Sequence, residues 1–511
     1  MKRFSQFNRL HVAIVLGLLL FLLAAFIAPG FAEQQATSIT GTVTYYGPIS
    51  GEHQINVALF LDPGDTEPVV GNEWPGRSIQ YEFSGGPAAS YYVSAYFDAN
   101  DTGGAPDPGE TVYWYDGDGD GQPDAVPLGA DPVSDIDIAL GDILYVDADA
   151  GGSNDGSSWA NAYTELQTAL GAASNGAEIW IAEGTYKPTT PSGRAATFQL
   201  KSGVGVYGGF SGNELLRSAR DWGAHPVILS GDIGTAGVKT DNSYNVVTGS
   251  GVDNTSRIDG VVITGGYADG VGTHDKGGGL QITGGSPVVA NVNFIDNWAS
   301  NHGAGMSTQL TGSEPLVFNC TFSGNGTNFN GAMANLWYAN TTVVNSTFTG
   351  NTGGNAGGIV NLDNGASVMR NVIFWGNGGQ EILLHNNGTI DIQYSIVKGD
   401  PVYTGTGNKN EDPLFVDADG PDDTFGTLDD DLRLSAGSPA ADAGDNGAVP
   451  SDVSDMDGNG NTSETVPLDM AVSSRFVNVP LTDTGSGSAP IVDMGAYEQY
   501  NVGLLPIIMA Q

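Results

Sequence analysis

The hydrophobic pattern of the central chain repeats with a period of 26 to 28 residues. The motif N-x-x-F-x-x-N occurs four times, with successive starts 28, 26 and 26 residues apart: Asn291, Asn319, Asn345 and Asn371. Weaker copies flank the series at 260–266 and 394–400, and an apolar residue lies two positions before every start. A fixed period of this length is typical of stacked coils, each forming one turn of a solenoid.

A second register of glycines and apolar residues lies between these motifs. It ends on four apolar side chains spaced 26, 27 and 26 residues apart: Leu280, Met306, Met333 and Ile359. Stacked coils pair their short strands in parallel at about 4.8 Å, so equivalent phenylalanines should stack inside and equivalent asparagines should hydrogen-bond at the turns. We therefore predict an all-β chain in which residues 141–400 form a parallel β-helix of about ten coils, roughly 48 Å long. The alternative, a sandwich with glycine-rich hairpins, does not account for the phenylalanine spacing.

The chain before the repeats has the alternating pattern of strands. Segments 39–45, 55–61 and 91–97 are rich in β-branched and aromatic residues with a period of two. Residues 33–140 are thus predicted to form a small β-sandwich, similar to transthyretin-like modules. A capping box at 164–167 predicts a short helix to about Ser174 that covers the open end of the β-helix.

The N-terminus has the pattern of a secretory signal peptide. Lys2, Arg3 and Arg9 precede an apolar run at 12–28, and small residues follow. We predict a signal peptide at residues 1–32 and a secreted or cell-surface protein; the alternative is an uncleaved anchor helix. The apolar tail at 500–511 is too short to span a bilayer, so we expect no stable membrane span after cleavage.

Several motifs resemble those of a known group of secreted bacterial proteins. The paired F-x-x-N and G-G-x-I motifs, and the opening at 145–188, resemble the repeats of polymorphic outer membrane proteins and related β-helix proteins. The segments at 412–417, 431–435, 437–444 and 493–498 resemble the C-terminal module called choice-of-anchor Q, which sets residues 401–499 as an acidic module. The resemblance implies a right-handed, pectate-lyase-like superhelix on a secreted or surface protein, and it implies no activity.

Composition restricts the partners. The chain carries 58 acidic and 17 basic residues, a formal net charge of −41, which repels nucleic acid and disfavours bare anionic polysaccharide. Its single cysteine, Cys320, excludes an intramolecular disulfide. Stability outside the cell would therefore come from packing and from bound cations.

Four acidic loops carry alternating oxygen ligands, a pattern that suits calcium. The first has the form D-x-D-x-D-G-x-x-D and resembles dockerin and thrombospondin type 3 loops, although Pro127 stands where an EF-hand has its glutamate: Asp116, Asp118, Asp120 and Asp124. The second lies just upstream: Asp98, Asn100, Asp107 and Glu110. The third belongs to a run of seven aspartates at 417–431: Asp417, Asp419 and Asp422. The fourth is C-terminal: Asp455, Asp457, Asn459 and Glu464. We predict structural calcium at these loops.

Two further sets of residues could carry function. Parallel β-helices often cleave polysaccharides with carboxylates or a calcium-assisted arginine, and the coils offer such groups: Asp259, Asp269, His274, Asp275, Asp296, His302 and Arg370. If exposed, aromatic residues near the core positions could stack on neutral sugars rather than pack under loops: Trp298, Trp337, Tyr338 and Trp375.

The sequence thus favours a monomeric, calcium-stabilised adhesion or glycan-binding scaffold without catalysis. Its expected partners are glycans or other cell-surface components. Two alternatives stay open. One is a polysaccharide lyase or glycoside hydrolase acting on a neutral or calcium-bridged glycan, and the other is a structural spacer in a surface layer.

Overall fold

The computed structural model describes residues 38–500, except 46–53, 63–67, 76–77, 85–88, 99–111, 116–122, 129–131, 135, 141–142, 175, 189–192, 215–216, 454–455 and 457–463. The predicted signal peptide and the apolar tail after Tyr500 lie outside the described residues. Within the part of the chain that is described, no helix combines the length and the apolar composition needed to cross a membrane.

The first eight strands form a two-sheet sandwich. They are β1 (Ser38–Tyr45), β2 (Gln54–Phe60), β3 (Val70–Pro75), β4 (Ser78–Ser84), β5 (Ala89–Asp98), β6 (Val112–Trp114), β7 (Ala125–Leu128) and β8 (Ile138–Leu140). One sheet has the order β4-β1-β8, and the other has the order β3-β2-β5-β6 with β7 beside β5. Alternate side chains of both sheets, such as Ile39, Val57 and Val93, meet in one buried core, as the period-two pattern predicts.

The central chain is built from short strands. The first part contains β9 (Ile143–Val146), β10 (Glu178–Ala182), β11 (Gly184–Tyr186), β12 (Phe198–Gln199), β13 (Gly205–Phe210), β14 (Val227–Ser230), β15 (Val247–Thr248), β16 (Arg257–Thr264), β17 (Tyr267–Ala268), β18 (Leu280–Thr283), β19 (Val288–Ile295) and β20 (Trp298–Ala299). The second part contains β21 (Met306–Gln309), β22 (Leu316–Phe318), β23 (Thr321–Ser323), β24 (Gly326–Thr327), β25 (Met333–Leu336), β26 (Asn340–Val344), β27 (Thr347–Thr349), β28 (Ala356–Leu362), β29 (Ala366–Arg370), β30 (Ile373–Trp375), β31 (Gln380–His385), β32 (Thr389–Gln393) and β33 (Ile396–Val397).

These strands pair in parallel as the walls of a right-handed β-helix, which confirms the predicted fold class. The first wall runs β9-β10-β13-β16-β19-β22-β26-β29-β32. The second wall runs β11-β14-β16-β19-β23-β27-β30-β33, and the third runs β12-β15-β18-β21-β25-β28-β31. Nine strands in the first wall give a rod of roughly 38 Å, so the expected ten coils and 48 Å were too large. The difference arises because the coil from Gly205 to Arg257 spans 52 residues.

The phenylalanines of the repeat form a single internal column, as predicted. Phe294, Phe322, Phe348 and Phe374 are fully buried and pair in register. Successive ring centroids lie 4.5, 4.4 and 4.5 Å apart, with interplanar angles of 10°, 4° and 20°. The second register is confirmed as well, because Leu280, Met306, Met333 and Ile359 are consecutive partners in the third wall.

Asparagines form the corners of the coils. The first asparagine of each motif has a positive φ, between 44° and 57°, which asparagine tolerates better than most residues. The last asparagine of each motif belongs to a buried ladder, in which Asn325 Nδ2 donates to Asn351 Oδ1 at 2.9 Å. The ladder ends where Asn377 Nδ2 donates to Glu381 Oε2 at 2.6 Å. The corner geometry thereby satisfies backbone groups that the turns would otherwise leave unpaired.

One helix, α1 (Leu166–Ala172), caps the first coils, as predicted. Its buried residues Leu166 and Leu170 join the same core as Val146 and Ile179. The predicted capping box was wrong, because Glu165 is the N-cap and makes no side-chain cap bond. The backbone of Thr164 donates to Asn154 Oδ1 at 2.8 Å, which takes Thr164 out of the helix. Four short 3-10 turns complete the helical content of the described residues: Trp159–Asn161, Arg217–Ala219, Lys239–Asp241 and Asn446–Ala448.

The segment from 401 to 500 folds back along the outside of the coils. Among its described residues, it contains one antiparallel pair of strands, β34 (Phe415–Asp417) and β35 (Asp431–Leu434). Its apolar residues Met470 and Val492 pack on outward residues of the first wall, including Phe318 and Val344. The corner asparagines anchor it, since Asn319 Nδ2 donates to the carbonyl of Leu468 at 2.9 Å.

Candidate functional site

One cavity lies between the second wall and the returning C-terminal segment. Its volume is about 610 Å³. The coils contribute one side, the C-terminal segment contributes the other, and the loop 221–226 closes one end. We call this space the interface cavity.

The coil side of the interface cavity follows from the strand pattern. Phe294 and Phe322 point into the core, so the residues on either side of each point outward. Asn293, Thr321 and Ser323 therefore line the cavity with polar groups. Thr321 Oγ1 donates to Asn293 Oδ1 at 2.5 Å, which links adjacent coils.

The opposite side is held close by two glycines. Gly324 and Gly426 have positive φ angles of 65° and 86°, and a Cβ on Gly324 would lie 2.4 Å from the carbonyl oxygen of Phe425. Only glycine permits so close an approach of two backbones. This contact brings Asp430 to the coil, where its Oδ2 accepts hydrogen bonds from Ser323 Oγ at 2.6 Å and from Gly426 N at 2.8 Å. Burial raises the pKa of Asp430 in spite of these bonds.

The pKa of Asp431, the residue after Asp430, is shifted in the opposite direction. Asp431 accepts two hydrogen bonds from Arg433, at 2.8 Å from Nε and 2.5 Å from Nη2. Burial would raise the pKa of Asp431, but the hydrogen bonds and charge of Arg433 outweigh it and lower the pKa. Adjacent carboxyl groups in the same cavity thus differ in their tendency to hold a proton.

Aromatic residues complete the cavity. Trp222 donates from Nε1 to the carbonyl of Met470 at 2.9 Å, which fixes the indole between coil and C-terminal segment. Tyr497 lines the cavity as well, and burial raises the pKa of its hydroxyl. Hydroxyl, amide and carboxyl groups beside aromatic rings can hydrogen-bond and pack against a polyhydroxylated ligand at the same time.

A buried ionic cluster supports this region from the first wall. Asp259 lies between Arg220 and Arg257, with Oδ1 2.9 Å from Arg220 Nη2 and Oδ2 2.6 Å from Arg257 Nη2. Burial alone would raise the pKa of Asp259, but the two guanidinium groups hold it at about 2. The guanidinium of Arg220 also lies 4.8 Å from the ring centroid of Trp222. The cluster therefore positions the indole and leaves no free group for chemistry.

Most residues of the predicted calcium loops lie outside the described part of the chain. This holds for Asp116, Asp118 and Asp120 of the first loop, for Asn100, Asp107 and Glu110 of the second, and for Asp455, Asp457 and Asn459 of the fourth. Asp98 ends β5, and the backbone of Asp124 donates to the carbonyl of Tyr115 at 2.8 Å. Glu464 is described and half-buried. Calcium at these loops stays a prediction.

The third loop is described. Asp417 belongs to β34, while Asp419 and Asp422 lie in the turn that follows it. Asp422 Oδ1 accepts a hydrogen bond from Thr424 N at 2.9 Å, and Asp430 and Asp431 lie in the interface cavity. Among the described residues, no group of three or more His, Cys, Asp or Glu side chains has an arrangement that could hold a metal ion. The calcium prediction for this loop stays untested.

Ion pairs engage several of the candidate catalytic residues of the coils. Asp269 pairs with Arg194 at 2.5 Å, Asp296 with Lys239 at 2.6 Å, and the carboxylate of Asp391 with Arg370 at 2.7 Å. His274 stacks on Tyr244 with a centroid distance of 4.9 Å.

Asp275 and His302, two further candidates, lie close enough to interact electrostatically. Asp275 pairs with Lys276 at 2.5 Å. Burial, followed by the charge of Lys276, lowers the pKa of His302 to about 4, so its imidazole is neutral at pH 7.

The aromatic candidates differ in exposure. Trp298 stacks on Tyr267 at 4.5 Å, and Trp375 is half-buried beneath Lys398. Trp337 and Tyr338 are 39% and 61% exposed. Trp298 and Trp375 are therefore packing residues, whereas Trp337 and Tyr338 are exposed enough to contact a ligand.

Sequence reasoning did not identify the coil side of the interface cavity. Asn293, Thr321 and Ser323 carried a signal, because they flank the repeated phenylalanines and must point outward. Trp222 and Tyr497 carried none, since they are 275 residues apart and outside the repeats. Asp430 and Asp431 carried only the signal of an acidic run.

Comparison with known proteins identifies no family for this chain. No protein family model matches the chain, and no curated protein matches it. The resemblance to choice-of-anchor Q modules and polymorphic outer membrane protein repeats therefore stays a prediction. Among solved structures, the chain is similar to one described as "Crystal structure of pectate lyase Pel9A", at 16% identity and a TM-score of 0.26, over 70% of this chain and 96% of that chain. A similarity of this size carries no information about activity, so the β-helix rests on its own strand pairing.

Proposed function

We propose that the protein is a secreted or cell-surface scaffold that binds a glycan in the interface cavity, without cleaving it. The observation that carries this proposal is the composition of the cavity. Asn293 and Tyr497, both half-buried, line a space of about 610 Å³ together with the Asp431–Arg433 pair. Such a mixture of hydrogen-bonding groups and aromatic surface suits a sugar with several hydroxyl groups.

The negative charge of the cavity and of the whole chain indicates which class of glycan can bind. Arg433 is already paired with Asp431, while Asp221 and Asp430 also line the cavity. With a net charge of −41 on the whole chain, a polyuronate would be repelled unless calcium bridged it. We therefore infer a neutral glycan as the ligand.

The test blocks the cavity at its rim. Leu428 lines the cavity and is 58% exposed, so Leu428→Trp should fold normally and fill the opening. Leu481, 43% exposed and outside the cavity, gives the matched control Leu481→Trp. Titration calorimetry with neutral hexasaccharides of glucose, xylose and mannose should show a binding site that Leu428→Trp abolishes and Leu481→Trp preserves. Equal binding by both variants would place the ligand elsewhere, and no binding by the wild type would refute the proposal.

One observation favours hydrolysis as a second candidate function. Asp430 and Asp431 share the cavity, and their environments move their pKa values in opposite directions, as in a pair made of an acid and a base. Release of reducing ends from a bound glycan would support hydrolysis. Asp430→Asn should then abolish release and keep binding, whereas intact glycan after long incubation would leave the scaffold function.

A further inference from the structure

A second surface of the β-helix has a feature that the glycan cavity does not explain. At the end of the third wall, the coils turn through stacked corners that begin after β25, β28 and β31. The corner pairs are Trp337–Tyr338, Asp363–Asn364 and Asn386–Asn387, and all six residues have positive φ, from 50° to 69°. We call this row the corner row.

The first pair of the corner row, Trp337–Tyr338, has residue types that are unusual at positive φ. Left-handed φ angles suit asparagine, aspartate and glycine, and they are unfavourable for bulky aromatic side chains. The next two corners follow this rule, and Trp337–Tyr338 breaks it twice in succession. Strain of this kind persists where a function retains it. Burial does not supply the reason, since Trp337 is 39% and Tyr338 is 61% exposed.

The side chain of Trp337 contacts a buried lysine. Lys276 Nζ lies 5.5 Å from the ring centroid of Trp337, within range of a cation–π interaction. Lys276 is itself held by Asp275, at 2.5 Å, and its side chain is only 7% exposed. Asn301 Nδ2 donates to the other oxygen of Asp275 at 3.2 Å. This network favours one orientation of the indole before any ligand arrives, which reduces the entropy lost on binding.

The neighbouring corners provide polar groups in register with the aromatic pair. Asn386 Nδ2 donates to Asp363 Oδ1 at 2.6 Å, and Asn387 Nδ2 donates to Asn364 Oδ1 at 3.4 Å. These bonds leave further amide and carboxylate atoms available, and Asn386 and Asn387 are exposed. The row thus offers two aromatic faces followed by amides, spaced one coil apart along the rod.

We propose that the corner row is a binding site for a neutral polysaccharide chain that lies along the axis of the β-helix. The apolar C–H face of a sugar ring would pack on Trp337 and Tyr338, and hydroxyl groups of the next sugars would bond to the amides of the row. An anionic chain is disfavoured by Asp363 and by the net charge of −41. This site is separate from the interface cavity and does not depend on it.

The experiment replaces the aromatic residues by the type found at the equivalent corners. Tyr338→Asn and Trp337→Asn copy Asn364 and Asn386, so Tyr338→Asn should leave the melting temperature unchanged or raise it. Each variant should weaken the hexasaccharide site that Leu428→Trp retains by at least about fivefold in calorimetry. Phe329→Asn, at an aromatic residue that is 54% exposed on a different turn, is the matched control and should bind like the wild type.

The outcomes separate this site from the cavity. A hexasaccharide site that is lost in Tyr338→Asn and retained in Leu428→Trp supports the corner row, whatever the result at the cavity. A lower melting temperature of Tyr338→Asn with unchanged binding would show that the aromatic pair serves packing, and it would overturn the proposal. Preference for hexagalacturonate over the neutral hexasaccharides would overturn it as well.

Discussion

Single buried carboxyl groups in this protein differ according to the partners that surround them. Asp259 and Glu381 are both buried, with 0% and 6% of their surface exposed. Two arginines hold the pKa of Asp259 at about 2 in spite of its burial. Glu381 accepts hydrogen bonds from Asn377, and these amide donors do not compensate for burial, which raises the pKa of Glu381 to about 7. The end of the asparagine ladder is therefore sensitive to pH.

Glu381→Gln should isolate this effect. Because the folded-state pKa of Glu381 is above its unfolded value of 4.5, the unfolded chain loses the proton first as pH rises. The wild type should lose stability relative to the variant between pH 4.5 and about 7, by up to about 3 kcal/mol, and the difference should be constant above that range. Guanidinium denaturation of both proteins from pH 4 to 8 measures this. Parallel curves across the range would show that the carboxyl group does not titrate as described.

At the level of elements, the β-helix is held by columns that repeat one side chain per coil. The phenylalanine column excludes water from the core, and the asparagine ladder satisfies the corner backbone. Asn351 shows the density of this bonding, since its Nδ2 donates to the carbonyls of Phe322 and Thr349 and to Asn377 Oδ1. A ladder of this kind couples each coil to the next.

Asn351→Ala should destabilise the protein by about 3 kcal/mol or more, because several buried groups would lose their partners. Asn328 is exposed, has no positive φ and lies outside the ladder, so Asn328→Ala is the control and should change stability by less than about 0.5 kcal/mol. The free energy of unfolding of both variants tests this. A small effect of Asn351→Ala would mean that the ladder adds little to the stability that packing provides.

The sequence predicted the columns because equal spacing forces equal side chains into one line. Phe294 and Phe374 could be assigned to the same column without any coordinates. The interface cavity could not be predicted, since its contacts join a repeat to a segment without periodicity. The bond from Asn319 to the carbonyl of Leu468 uses a backbone group, which no side chain identifies in the sequence. The sequence predicted Trp337 and Tyr338 of the corner row as candidate sugar-stacking residues. The left-handed backbone of the row became visible only in three dimensions.

On the scale of the whole molecule, the C-terminal segment converts a simple rod into a protein with a cavity. It buries the outward residue Phe318 of the first wall and meets the coils back to back at Gly324 and Gly426. The same segment carries two of the four predicted calcium loops. Cation binding at those loops would therefore influence the shape of the cavity as well as stability.

We propose calcium as the structural cation and expect chelation to lower the melting temperature. A ligand that binds only the folded chain stabilises the fold. Once the ligand concentration exceeds the dissociation constant, the stabilisation grows with the logarithm of that concentration, so the melting temperature should rise with added calcium. Asp118→Asn combined with Asp120→Asn should reduce this rise. A melting temperature that neither EGTA nor calcium changes would remove the calcium proposal.

The most direct test of the glycan-scaffold account is a crystal structure of the protein soaked with the neutral hexasaccharide that binds best in calorimetry. The account predicts sugar rings in the interface cavity, in contact with Asn293, Arg433 and Tyr497. An empty cavity in crystals that hold the sugar elsewhere, or a C-terminal segment detached from the coils, would contradict it.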